Sequence, residues 1–228
     1  MSAAPRPTRT AARKLRDGMK LRQPEFHRLY EQYPDDVKFE LIDGVVYMAS
    51  PAGGDHGCGS HGINGVLFLY SAKTSGVQGG DNMTAILGWD SEPQPDALLR
   101  ILPECGGQSH FNKENYLVGA PELICEVAVT SLRTDLGKKR AMYEKYGVQE
   151  YVVYDAKDHT LHWFQLPGHE MIHPDSAGVY KSQLFPGLWI DAKALARGDA
   201  AGMLAAVEAG TKTAMHKKFV AKLRSIRG

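Results

Sequence analysis

The chain is poor in the features that would assign it quickly. Its three cysteines, Cys58, Cys105 and Cys125, are widely spaced and never form a Cys-x-x-Cys pair. That excludes a disulfide framework, argues against a thiolate zinc site, and makes them read as reduced structural thiols. No apolar run is long enough to span a bilayer, and no seven-residue apolar segment followed by a cleavage site opens the chain. The expectation is a cytoplasmic protein without membrane contact. Internal repeats are absent, and net charge is almost absent, at +1 over 228 residues. With 43% hydrophobic and 23% charged residues, the composition suits one globular domain with a small appendage.

The small net charge hides a strong asymmetry. Residues 1–22 hold seven basic side chains against Asp17, and residues 211–228 hold six against none. Residues 23–210 therefore carry −11, the difference between +1 for the whole chain and +12 for its two ends. An acidic body collects cations, and basic ends hold polyanions when they are more than solvated tails.

Hydrophobic periodicity sets the element order. Residues 1–20 are rich in Ala, Arg and Pro without an apolar period and read as a disordered basic leader. Phe26, Leu29, Tyr30 and Tyr33 recur at helical spacing. The stretch "KFELIDGVVYMAS" alternates around Asp43-Gly44 and predicts a hairpin. Residues 55–73 predict a helix with Asp55 as N-cap and Ile63, Val66, Leu67 and Tyr70 inward, its glycines permitting close packing. Strands follow at 83–89, 92–101 and 121–129, then a helix over 134–147 with Thr134 or Asp135 at its N-cap and Gly147 as its stop. Two more strands flank Lys157-Asp158-His159, "FPGLWI" predicts an edge strand, and 191–228 reads as one or two helices, a basic C-terminal extension. Trp89, Trp163 and Trp189 fall in strand patterns and read as core. This order implies the α/β class, a mixed central sheet flanked by helices, with an N-terminal helix and β-hairpin.

One strand contains an anomaly. "LICEVAV", 123–129, surrounds Glu126 with six apolar residues, and burying an isolated carboxylate is costly unless it is neutralised, paired or bound to a cation. Alternation puts Ile124, Glu126 and Ala128 on one face. In the following helix Lys139 lies in a stripe with Met142, Tyr143 and Tyr146, a second buried charge. A structural ion pair between Glu126 and Lys139 would explain both. So would a site: carboxylates converging from strands suit Mg²⁺, and a nearby ammonium stabilises charge developing on an attacked phosphodiester.

The blocks "FELIDG", "EPQPDALLRI", "PELICEVAVTS" and "DLGKKRAMYEKYGVQEYVVYD", in that order and spacing, resemble the Uma-two family, a branch of the PD-(D/E)xK restriction-endonuclease-like nucleases. "FPGLWIDAKALARGD" and "HKKFVAKL" resemble a subgroup, so the likeness covers roughly 22–224, with 21–190 as the nuclease-like domain. It implies that Asp96, in Pro95-Asp96, and Glu126 are metal ligands beside the Val127 carbonyl, with Glu40 a further acid. The superfamily lysine usually stands two residues after the second acid, where this chain has Ala128. The resemblance then assigns its role to Lys139 on the next helix. His56 matches a histidine after the hairpin, and Tyr143 shares the stripe of Lys139. Individually, Asp96 also reads as a turn residue, Glu40 as an exposed strand residue, and His56 as a packing residue. Lys138 reads as solvated or phosphate-facing, and Arg133 and Arg140 as further phosphate contacts or as the solvent-facing side chains that surface arginines usually are.

The function this resemblance implies is a Mg²⁺- or Mn²⁺-dependent endonuclease on DNA, and a homodimer is expected because many nucleases cut two strands by pairing two subunits. The alternatives are a nuclease fold kept as a silent nucleic-acid-binding or protein-interaction module, and an enzyme on RNA or another phosphodiester.

Overall fold

The computed structural model describes residues 14–34, 36–168 and 170–228. Of the expected leader, 1–13 lie outside the described residues, while 14–20 run mostly exposed along the hairpin, with Leu15 buried and Lys20 bridging Val45. Helix α1 (Gln23–Tyr30) buries Phe26 and Leu29 against the hairpin β1 (Phe39–Ile42) and β2 (Val45–Met48). Asp43 and Gly44 both take positive φ, 46° and 77°, and Ile42 pairs with Val45, the two-residue turn expected of Asp-Gly.

Helix α2 (Gly54–Ala72) buries Ile63, Val66, Leu67 and Tyr70. Its N-cap position is Gly53, without a side-chain cap, and Asp55 falls inside the first turn instead. The glycines do permit close packing. A Cβ on Gly59 would stand 2.9 Å from Val127 Cγ1, and one on Gly62 2.7 Å from Leu195 Cδ1.

Strand β3 (Val77–Asp81) follows. The stretch 83–89 shrinks to β4 (Ala85–Ile86), and Trp89 stands 67% exposed on a turn because the bridge from Gly88 to Ser91 closes it outward. Trp163 is buried as expected, and Trp189 is half-buried. After β5 (Ala97–Ile101) come β6 (His110–Phe111), β7 (Leu117–Val118) and β8 (Leu123–Ala128).

The next helix starts earlier than expected. Its three segments are α3 (Leu132–Thr134), a π-helical turn (Asp135–Lys139) and α4 (Arg140–Tyr146), ended by Gly147 at φ 90°. Neither Thr134 nor Asp135 caps it, since the N-cap position is Ser131. Strands β9 (Glu150–Asp155), β10 (Thr160–Gln165) and β11 (Glu170–Ile172) complete one side of the sheet. β12 (Val179–Lys181) and β13 (Trp189–Asp191) form a separate ribbon, so the expected edge strand pairs away from the main sheet. Three helices close the described chain: α5 (Ala192–Ala196), α6 (Ala200–Thr211) and α7 (Ala214–Arg227).

The six-stranded sheet runs β11-β10-β9-β8-β5-β3. Only β8 and β9 are parallel, joined by the crossover through α4; the other neighbours are antiparallel. Alternation along β8 divides the core as the sequence implies. Leu123, Cys125 and Val127 pack with α2, while Ile124 and Ala128 pack with Met142 and Tyr143 of α4. Glu126 belongs to the second face.

Candidate active site

Four elements bring charged side chains to Glu126. The antiparallel register pairs Ala97 with Cys125, so one step further Asp96 lies opposite Glu126. Asp96 Oδ2 accepts the Val127 N–H at 2.8 Å, and Asp96 Oδ1 is 3.3 Å from His56 Nε2 at the start of α2. From the helix after β8, Lys139 donates to Glu126 Oε1 at 3.1 Å, and Tyr143 donates to the same oxygen at 2.7 Å. From the hairpin, Glu40 meets Lys139 through both oxygens, Oε2 at 2.9 Å and Oε1 at 3.1 Å, and Oε1 also accepts the Gln94 N–H at 2.8 Å. Glu40, Asp96, Glu126, Lys139, His56 and Tyr143 thus form one connected cluster. Val127 joins it through its N–H while its side chain faces α2.

The neighbouring basic residues divide. Lys138 is exposed and donates to Tyr47 Oη at 3.2 Å, and Arg133 is exposed. Arg140 lies over the Phe164 ring, 4.7 Å from its centroid, and is engaged in packing.

Asp135 was legible only as a possible cap. It is 2% exposed, enters the π-helical turn four residues before Lys139, and adds a further carboxylate to the field. Its spacing from Lys139 was the one available signal. The π turn itself had none beyond Gly137, although such turns recur at functional sites because they re-aim side chains.

Glu40, Asp96, Glu126 and Asp135 face a single lysine, and that imbalance governs the electrostatics. Burial pushes Glu126 well above the ordinary carboxylate range; Lys139 opposes the shift, and Asp96, Glu40 and Asp135 add to it. Burial also works against the Lys139 ammonium, but attraction to Glu126, Glu40 and Asp135 outweighs it and raises its pKa. Lys139 is therefore the firmly charged member, and Glu126, crowded by like charge, is the group that takes up a proton or a cation. The hydrogen bond to Asp96 raises His56 against the effect of burial.

The donor set tests whether a metal fits. Both side-chain hydrogen bonds to Glu126 fall on Oε1. Asp96, Glu126 and a main-chain carbonyl are hard oxygen donors, and Mg²⁺ commonly takes one or two carboxylates and completes its shell with water and phosphate. Among the described residues no group of three or more His, Cys, Asp or Glu side chains is arranged to hold a metal ion. A cation held here would therefore be a hard, oxygen-preferring ion that keeps much of its water. A softer metal requiring several side-chain ligands does not fit.

Comparison with known proteins agrees with the fold. No curated protein matches the chain. A solved structure from Anabaena variabilis, described as a "putative nuclease belonging to DUF820", superposes with a TM-score of 0.60 at 15% identity, covering 75% of this chain and 97% of that one. At that identity the likeness speaks for the fold alone. Residues 23–193 match the model of the Uma2 family, described as "putative restriction endonuclease". That span takes in the hairpin, both sides of the sheet and every residue of the cluster, and the chain belongs to the Uma2 family.

Proposed function

We propose that this chain is a Mg²⁺- or Mn²⁺-dependent endonuclease that hydrolyses DNA phosphodiester bonds. The observation that carries the reading is the position of Lys139, whose Nζ lies 3.1 Å from Glu126 Oε1 and 2.9 Å from Glu40 Oε2. An ammonium held between carboxylates at that depth supports a role on a phosphate, in place of the lysine that β8 lacks at Ala128.

In this reading Asp96, Glu126 and the Val127 carbonyl hold the metal, with Glu40 assisting. A metal bound there would supply Lewis acidity, polarising the phosphoryl group and lowering the pKa of a water. Lys139 orients that water and stabilises the negative charge that grows on the pentavalent phosphorus. Tyr143 fixes the rotamer of Glu126, and His56 holds Asp96. Two subunits related by a two-fold axis would address both strands of a duplex.

A plasmid-nicking assay with Mg²⁺ or Mn²⁺ tests the reading. Wild type nicks the plasmid, and Glu126→Gln and Lys139→Ala each lose activity by on the order of 10²-fold or more. Equal activity in all three preparations would refute it.

A second reading, a silent nuclease fold that binds nucleic acid without turnover, is favoured by one observation: Lys139 is already saturated by Glu40 and Glu126. Salt-sensitive DNA binding with no metal-dependent cleavage in wild type would select it.

A further inference from the structure

Most of the C-terminal helical region lies beyond residues 23–193, the span matched to the family. Within it, α7 carries Lys217, Lys218, Lys222, Arg224 and Arg227 and no acid. Among the described residues, only Arg227 of these meets a carboxylate, Glu104 at 3.9 Å. Lys217, Ala221 and Arg224, at i, i+4 and i+7, share one face of the helix. Together with Lys73, the C-cap of α2, they line a cleft of about 590 Å³. The helix is fixed: His216, which lines the cleft, has Nε2 2.9 Å from the buried Thr74 Oγ1, and on another face Leu223 is 2% exposed in the core.

The cleft is remote from the carboxylate cluster. His56 and Lys73 sit at opposite ends of α2, and 17 residues at 1.5 Å each separate them by about 25 Å. That is roughly seven base-pair steps of a duplex. The two places cannot hold the same phosphate, and one duplex is long enough to reach both.

We propose that this cleft is a second, sequence-independent contact for the phosphate backbone of duplex DNA. Cations from two elements, without neutralising acids and backed by a rigid wall, match a row of phosphates. A lipid surface is the weaker partner, because an interfacial helix needs its apolar face free. Here Leu223 is buried and Phe219 packs edge-on against Phe185, ring centroids 6.2 Å apart. The inference rests on the nuclease reading only in taking the bound duplex to be the substrate.

The test is fluorescence anisotropy of a labelled duplex of about 20 base pairs, several times the roughly seven-step span, with full-length protein in EDTA across a salt series. Lys73→Ala/Lys217→Ala/Arg224→Ala alters exposed side chains only. We expect it to weaken binding by about tenfold or more and to reduce the salt slope by about two to three. Unchanged affinity and slope in the triple variant overturn the proposal, as does a wild type without affinity for the duplex. A loss confined to phosphatidylserine vesicles overturns it in favour of a membrane. Cleavage separates the two readings. A triple variant with wild-type affinity and a cleaving wild type sink the anchor alone, whereas an anchor-dependent binder that never cleaves sinks the nuclease reading alone.

Discussion

Two buried glutamates stand on adjacent strands, and their surroundings differ in kind. Glu150, at the start of β9, is 1% exposed and accepts four hydrogen bonds, from Trp163 Nε1 at 3.1 Å, Ser182 Oγ at 2.7 Å, and the N–H groups of Gln183 and Leu184 at 2.8 and 2.9 Å. None of these donors is charged. Burial raises its pKa, and those four donors pull it back. Glu126, on β8, is 4% exposed, and its two side-chain donors come from the helix after the strand and share one oxygen. Its other close influences are carboxylates. A carboxylate ringed by neutral donors is a clamp, tying the β12–β13 ribbon to the sheet. A carboxylate crowded by acids around one lysine is a candidate site, because a single ammonium does not offset that crowding and a further cation would.

The largest predicted effect breaks the clamp. Glu150→Ala leaves an indole N–H, a hydroxyl and two main-chain N–H groups buried without their acceptor. We expect a loss of about 3–5 kcal/mol, roughly a 10 °C fall in melting temperature. Urea unfolding measures it, and a change under ~1 kcal/mol means that the ribbon is held by its apolar contacts instead.

The same measurement on Glu126→Gln should move in the opposite direction. Gln keeps the acceptor for Lys139 and Tyr143 and removes the cost of either protonating or burying the charge of a carboxyl that is ionised in the unfolded chain, so the metal-free protein gains about 2–4 °C, what ~1 kcal/mol amounts to in a chain of this size. The sign with pH follows from the raised pKa. The folded state keeps a proton on Glu126 that the unfolded chain releases near the ordinary carboxylate value, so wild-type stability falls as pH rises from there toward the raised pKa. Glu126→Gln removes that part of the slope. Thermal melts from about pH 5 to 8 in EDTA check it, and a variant less stable than wild type at the upper end contradicts the comparison. Added Mg²⁺ raises the melting temperature of wild type alone.

Much of this contrast was legible in the sequence, and the limits have physical causes. Glu126 announced itself because alternation in LICEVAV is short and unbroken, and Lys139 because helical periodicity survives a single π turn. Glu150 gave no such signal: it opens a strand, and its partners come from 163 and from 182–184, which no local pattern connects. Asp135 was visible as a residue but not as a buried acid, since Asp near a helix start ordinarily caps it. Trp89 shows the reverse failure, where a strand-like pattern was overridden by a two-residue bridge. The hairpin and the tight seat of α2 were readable because Asp-Gly and closely spaced glycines have few other uses.

The smallest predicted effect concerns Tyr143, and it sharpens the contrast most. Tyr143 Oη donates to Glu126 at 2.7 Å from a fully buried ring, and burial pushes its own pKa well above the ordinary phenol value, so it remains a neutral donor throughout the working range. A neutral donor on an acid does what Ser182 does for Glu150: it orients the carboxylate without taking part in chemistry. Tyr143→Phe keeps the ring and leaves Oε1 to Lys139. Cleavage should therefore fall by about three- to tenfold, on the scale of one hydrogen bond near ~1 kcal/mol. The Mg²⁺ concentration for half-maximal activity should rise with it, since a less firmly oriented Glu126 is a poorer ligand. Glu126→Gln and Lys139→Ala should lie far below Tyr143→Phe in rate. If Tyr143→Phe instead falls as far as Lys139→Ala, with no change in the Mg²⁺ requirement, the hydroxyl meets the phosphate directly, and the cluster contains a second proton donor rather than a clamp.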